Sequence, residues 1–83
     1  MKLNNQVIVQ KLGDTYVAYD NNNSVLHEFN EVGHRIIELI EKKYSKKDVV
    51  LEIVKEFDVA NSQALRDVED FLEVLVKKDL ITL

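Results

Sequence analysis

Between Ser24 and Tyr44 the chain reads SVLHEFNEVGHRIIELIEKKY, and within that stretch the apolar period changes from that of a strand to that of a helix. Ser24 to Glu28 is short, carries Val25 and Leu26, and follows the run Asn21-Asn22-Asn23, as a strand leaving a tight turn does. Asn30 stops it, because an Asn side chain can accept a hydrogen bond from a backbone N–H two or three residues on. Val32, Ile36, Leu39, Ile40 and Lys43/Tyr44 then recur at helical spacing. A strand therefore hands directly to a helix. That junction fixes the angle between an upstream sheet and downstream helices and predicts one α+β domain over residues 1–83.

Upstream, Gln6 to Leu12 (QVIVQKL) and Thr15 to Asp20 (TYVAYD) are β-branched and aromatic segments separated by Gly13-Asp14. Glycine first in a two-residue loop suits a type II′ hairpin, since it reaches positive φ without steric cost. The asparagine run makes the next reversal, giving a three-stranded antiparallel meander over about 6–28. Its third strand, residues 24–28, has one unpaired edge unless something covers it. Val17 and Tyr19 face one way and Tyr16 and Ala18 the other; both faces are apolar, which leaves the core face open.

Three helices follow, over about 30–43, 45–57 and 62–78. Gly33 in the first turn of the first is costly, about 1 kcal/mol relative to Ala, and is expected to mark a close approach to a neighbouring backbone. Ser45 and Asp48 form a capping-box-like pair, and Val49, Ile53 and Phe57 make one stripe with Val50 and Val54 beside it. In the third helix Leu65, Val68, Leu72 and Leu75 fall on a core-facing arc with Phe71 and Val76 at its margins. Leu80 to Leu83 reads as a short extended tail. A small sheet and three helices make a winged-helix-like architecture.

At 83 residues the domain buries only about 60–65% of its unfolded surface. A small-molecule pocket of roughly 300–1,000 Å³ would consume most of such a core, so a surface groove or an exposed edge is the expected kind of site. The composition, 46% hydrophobic and 31% charged, is that of a soluble globular chain. No apolar run approaches a membrane span, and the polar start Met1-Lys2-Leu3-Asn4-Asn5 does not suit a signal peptide, so a cytoplasmic location is expected. The absence of cysteine excludes disulfides and cysteine metal centres; His27 and His34 stand alone, and no metal or other cofactor is expected. His27 on the edge strand could instead donate to a peptide carboxylate. No nucleophile elbow, phosphate loop or carboxylate pair is present, so no catalytic residue is assigned. A net charge of −4 does not suit a nucleic-acid binder.

The segments FNEVGHRIIELI, SKKDVVLEI and DVEDFLEVLVKKDLI together resemble the PqqD family. The family's L-N-x-x-G entry to the first helix falls on Phe29 to Gly33, its D-V-x-x-F-L-x-x-L run on Asp67 to Leu75, and its G-L-I ending on Asp79 to Ile81. Phe29 replaces the usual Leu and Asp79 the usual Gly, and Asp tolerates the left-handed conformation that such a cap requires. The resemblance covers nearly the whole chain. It implies a recognition element that binds the leader segment of a ribosomally made precursor peptide and presents it to a modifying enzyme, often a radical S-adenosylmethionine protein. The leader is then held as an added strand on the third strand, in a groove walled by the third helix.

The residues expected to bind the peptide are Val25, Leu26, His27 and Glu28 on the strand and Asp67, Asp70, Phe71, Val74 and Lys78 on the helix. Strand addition needs unpaired N–H and C=O groups, which only an edge provides. Taking ~100° per residue, Asp67, Val74 and Lys78 fall along one flank beside Phe71. Two bland alternatives stand beside this: an edge blunted by Glu28 and its own shortness, and a Val74 that merely widens the core stripe. The lysines Lys42, Lys43, Lys46 and Lys47 form either a solvated face or a dock for an acidic partner. One rival function is a winged-helix DNA-binding regulator, which Asp67, Glu69, Asp70 and Glu73 would oppose by phosphate repulsion. Another is an oligomerising module that uses the same edge on a second copy of the chain.

Overall fold

The computed structural model describes residues 1–83. Three strands form the meander in the order β2 (Val7–Leu12), β3 (Thr15–Asp20) and β4 (Val25–Phe29), each antiparallel to its neighbour. A further pair, β1 (Lys2–Leu3) with β5 (Ile81–Thr82), closes the two ends of the chain on each other. Three helices lie between: α1 (Glu31–Glu41), α2 (Lys46–Phe57) and α3 (Asn61–Lys77). This is the α+β, winged-helix-like fold expected from the sequence, with the terminal ribbon added.

The turns have local causes. Gly13 has φ 61 and faces no neighbour, while Leu12 pairs with Thr15 across it, so the tight hairpin needs glycine for conformation alone. At the second turn the Asp20 carboxylate accepts from the backbone N–H groups of Asn22 and Asn23, at 2.9 and 3.3 Å, and from the Asn23 amide at 2.8 Å. Asp20 is only 2% exposed. The Asn23 side-chain bond, more than its burial, decides its titration, and holds the carboxyl below its ordinary pKa. A lowered native pKa means that stability is present above about pH 4 and is lost as pH falls through the native value. Urea unfolding followed from pH 6 to pH 2.5 is expected to show an acid limb that Asp20→Asn flattens; parallel curves for the two proteins would remove Asp20 from that role.

Asn30 caps α1, its side chain accepting from the Gly33 N–H at 2.8 Å, and Ser45 caps α2 through the Asp48 N–H at 3.2 Å. α1 stops at Glu41 rather than Lys43. Lys43 takes φ 70, its N–H donates to Ile40 and that of Tyr44 to Leu39, a Schellman closure that leaves both side chains exposed. Asp79 ends α3 in the same way at φ 59, with its N–H on Val76 and that of Leu80 on Leu75. The left-handed cap thus forms on Asp where the family has Gly.

The core joins Ile36, Ile37, Leu39 and Ile40 of α1 to Val49, Val50 and Ile53 of α2, Ala64, Val68, Leu72 and Leu75 of α3, and Val7, Ala18, Leu80 and Ile81. Ala18 with Tyr16 faces the helices, which settles the sheet's orientation; Tyr19 is on the outer face in one cross-strand row with Ile8 and Leu26. One expected core residue is misplaced. Leu65 is 43% exposed and Ala64 is fully buried in its stead, because four residues before Val68 lies nearer the centre of the arc than three residues before it. No helix is long and apolar enough to cross a membrane.

Candidate peptide-binding site

The phase of the sheet decides what β4 shows to solvent. The Asn21 N–H donates to the Gln6 carbonyl at 2.9 Å, one step beyond the pair Val7 and Asp20. Bonded pairs alternate in an antiparallel ladder, so Tyr19, Val17 and Thr15 bond to β2, and Asp20, Ala18 and Tyr16 turn their backbone groups to β4. Their partners there are Val25, His27 and Phe29. Leu26 and Glu28 are left with N–H and C=O groups pointing away from the sheet. The edge is open at those two residues.

Side chains alternate the other way. Val25, His27 and Phe29 project to the helix face, opposite Asp20, Ala18 and Tyr16, while Leu26 and Glu28 project to the outer face, opposite Tyr19 and Val17. The Phe29 ring meets Phe71 of α3 edge-on, centroids 5.5 Å apart at 86°, and His27 stacks beside Phe29 at 6.5 Å. Both phenylalanines are half-buried. The backbones of β4 and α3 make little direct contact, so this aromatic pair forms the floor of an open trough between them.

The trough runs in a defined direction. Phe71 stands opposite Phe29, while the C-terminal turn of α3 is tied by Asn4, which donates to Asp79 O and Leu80 O, to the sheet end holding Val7, Asp20 and Val25. Helix rise from Phe71 to Lys78 is about 10 Å, close to the ~13 Å from Phe29 back to Val25. On the α3 wall Val74 is 41% exposed, and Asp67, Asp70 and Lys78 are exposed. The Asp67 carboxylate accepts from the Gln63 amide at 2.8 Å.

The structure therefore brings Phe71 to the strand and leaves Val74 beside it free of the core. It separates the strand residues by geometry: Leu26 and Glu28 turn backbone groups outward from the sheet, and Val25 and His27 carry their side chains on the helix face. Phe29, absent from the expected set, lies at its centre. The strand runs one residue beyond the expected Glu28, and counting alternate residues back from Phe29, the residue before the Asn30 cap, would have grouped Phe29 with His27 and Val25.

Gly33 also bears on the trough, and not as expected. Its near neighbour is a side chain rather than a backbone: a Cβ there would lie 3.0 Å from Phe71 Cζ, 3.2 Å from Cε1 and 3.3 Å from Asn30 Oδ1.

A hollow of about 440 Å³ is on the opposite flank of α3, bounded by Leu72, Val76 and Leu83 with the ion pairs Lys46–Glu69 and Lys77–Glu73 at its rim. It shares no residue with the trough. No grouping of His, Asp and Glu could hold a metal ion.

Residues 15–81 match the family described as coenzyme PQQ synthesis protein D. The chain belongs to the PqqD family. Among solved structures, this PqqD-family fold superposes on TbiB1 in complex with the TbiA(beta) leader peptide with a TM-score of 0.88 and 29% identity, over 96% of this chain and 93% of that one. Lasso peptide synthetase B1 complexed with the leader peptide gives a TM-score of 0.85 over 99% of this chain and 95% of that one, and its 21% identity speaks to the fold alone. No curated protein matches the sequence.

Proposed function

We propose that this PqqD-family chain is a peptide-binding recognition element that captures the leader segment of a ribosomal precursor peptide by strand addition to β4, alongside α3. The observation that carries this reading is the open edge at Leu26 and Glu28 beside a trough floored by Phe29 and Phe71. An extended peptide has backbone groups for the edge and, on alternate residues, side chains for the trough. TbiB1, 29% identical over nearly its whole length, is held with a leader peptide, which supports the same class of ligand here. Val25, His27, Phe71 and Val74 would meet the leader's inward side chains, Leu26 and Glu28 its backbone, and Asp67, Asp70 and Lys78 its flanking charges.

In this role the chain does no chemistry. It delivers the precursor to a separate modifying enzyme, a radical S-adenosylmethionine protein being the class that the family resemblance implies. The anionic face of α3, with Asp67, Glu69, Asp70 and Glu73, opposes the DNA-binding alternative.

The test is a selection. Panning a display library of random peptides of about fifteen residues against the chain is expected to enrich extended apolar sequences that bind near micromolar, about −8 kcal/mol. The Leu26 and Glu28 amides should shift in NMR on titration. If duplex DNA, with a steep salt dependence, outcompeted every enriched peptide, the proposal would be wrong.

Val74→Glu separates binding from folding. With Val74 at the trough wall, its substitution should leave the thermal midpoint nearly unchanged and weaken an enriched peptide by about 1 kcal/mol or more, the worth of one buried aliphatic contact. Unfolding would instead mean that Val74 supports the core.

A further inference from the structure

We propose that Gly33 is a positioning residue of this trough: by lacking a Cβ it lets the Phe71 ring settle against the first turn of α1, and so sets how large an apolar leader side chain the trough accepts. The proposal rests on the leader-binding reading above.

Gly33 has no conformational reason to be glycine. It lies inside α1 with ordinary helical backbone, Gly13 being the glycine with positive φ, and the Asn30 cap already serves its N–H. What it supplies is room. A Cβ would approach Phe71 Cζ to 3.0 Å, at the limit of what real Cβ contacts show. The Asn30 oxygen, at 3.3 Å from the same point, cannot retreat without giving up its 2.8 Å bond to the Gly33 N–H. The ring must give way. Phe29 meets it edge-on, and the ring is otherwise half-exposed between β4 and α3. A methyl group at Gly33 would thus raise the trough floor, and the helix itself would tolerate it, since Ala is a better helix former than Gly.

The experiment is a double-mutant cycle, read with a fluorescein-labelled peptide enriched by the wild-type chain from the library described above. Gly33→Ala should fold, with a thermal midpoint close to that of the wild type, and bind that peptide at least tenfold more weakly. Phe71→Leu binds less well than wild type, but adding Gly33→Ala to it should change affinity by less than twofold, because Leu has no atom where Cζ stood. Panning Gly33→Ala directly should enrich smaller apolar side chains at the anchor position. No loss in Gly33→Ala, or the same loss in both backgrounds, would overturn the assignment. If Gly33→Ala alone fails to fold, the double variant against Phe71→Leu decides: equal binding supports the assignment, a tenfold loss overturns it. If the wild type enriches no peptide, the leader reading falls, and Gly33 is judged by the rings alone. Phe29 and Phe71 ring protons that shift in Gly33→Ala support its positioning role, and unmoved rings refute it.

Discussion

Proline at His27 is expected to unfold the sheet, whereas proline at Leu26 is expected to leave the chain folded and weaken peptide capture. The two residues are adjacent and differ only in phase. His27 pairs with Ala18, and the alternation fixed by the Asn21–Gln6 bond puts its N–H into the ladder with β3. Proline there removes that donor, leaves the Ala18 carbonyl unpaired in a fully buried position, and costs about 3 kcal/mol from the lost bond and the orphaned acceptor together. For a domain of this size, with total stability at the low end of about 5–15 kcal/mol, that is most of the reserve. The Leu26 N–H points to solvent, so its loss costs the free protein little. It would cost the complex one backbone bond, about 0.5–1.5 kcal/mol, and the ring would also stand in the path of the incoming strand. Circular dichroism melts and fluorescence polarisation read the two outcomes. A folded Leu26→Pro protein that bound an enriched peptide as well as wild type would refute strand addition and leave the α3 wall to explain recognition.

How far such a site is legible beforehand depends on the range of the interactions that build it. Gly13, Asn30 and Ser45 act on backbone groups within a few residues, and each appears in the sequence with its function attached. The helix stripes are legible for the same reason, except where side-chain size and helix phase point to different neighbours: Leu65 is the larger apolar residue, but phase places Ala64 nearer the centre of the arc, and Ala64 is the one buried. The ribbon of Lys2–Leu3 with Ile81–Thr82 joins the two ends of the chain and consists of strands too short to show a period. Lys43 enters the left-handed region because the chain must turn from α1 into α2, a demand that nothing in its own chemistry announces. The edge was legible as an edge, but which of Leu26 and His27 faces outward depends on a single cross-sheet bond. Gly33 looked like a costly glycine, and its cause, the Phe71 ring, belongs to another helix.

Phe71→Ala is expected to damage stability and binding together, in proportions that report how the trough is built. Complete burial of a phenylalanine makes its truncation cost about 3–5 kcal/mol. Phe71 is half-buried, which brings the expected loss to about 2 kcal/mol, including its edge-to-face contact with Phe29 at 5.5 Å. Affinity for an enriched peptide should fall by a further ~2 kcal/mol, roughly thirtyfold, because a flat half-exposed ring at the centre of a groove is the kind of surface on which binding energy concentrates. Phe29→Ala should reproduce both losses in part. The two single-variant stability losses should sum to about 0.5–1.5 kcal/mol more than the double variant loses, since the second truncation no longer breaks the ring–ring contact. Binding should be similarly non-additive, for either ring alone is an incomplete floor. Strictly additive losses in both measurements would mean that the rings act separately, Phe71 as core and Phe29 as strand, with no shared surface for a leader side chain to rest on.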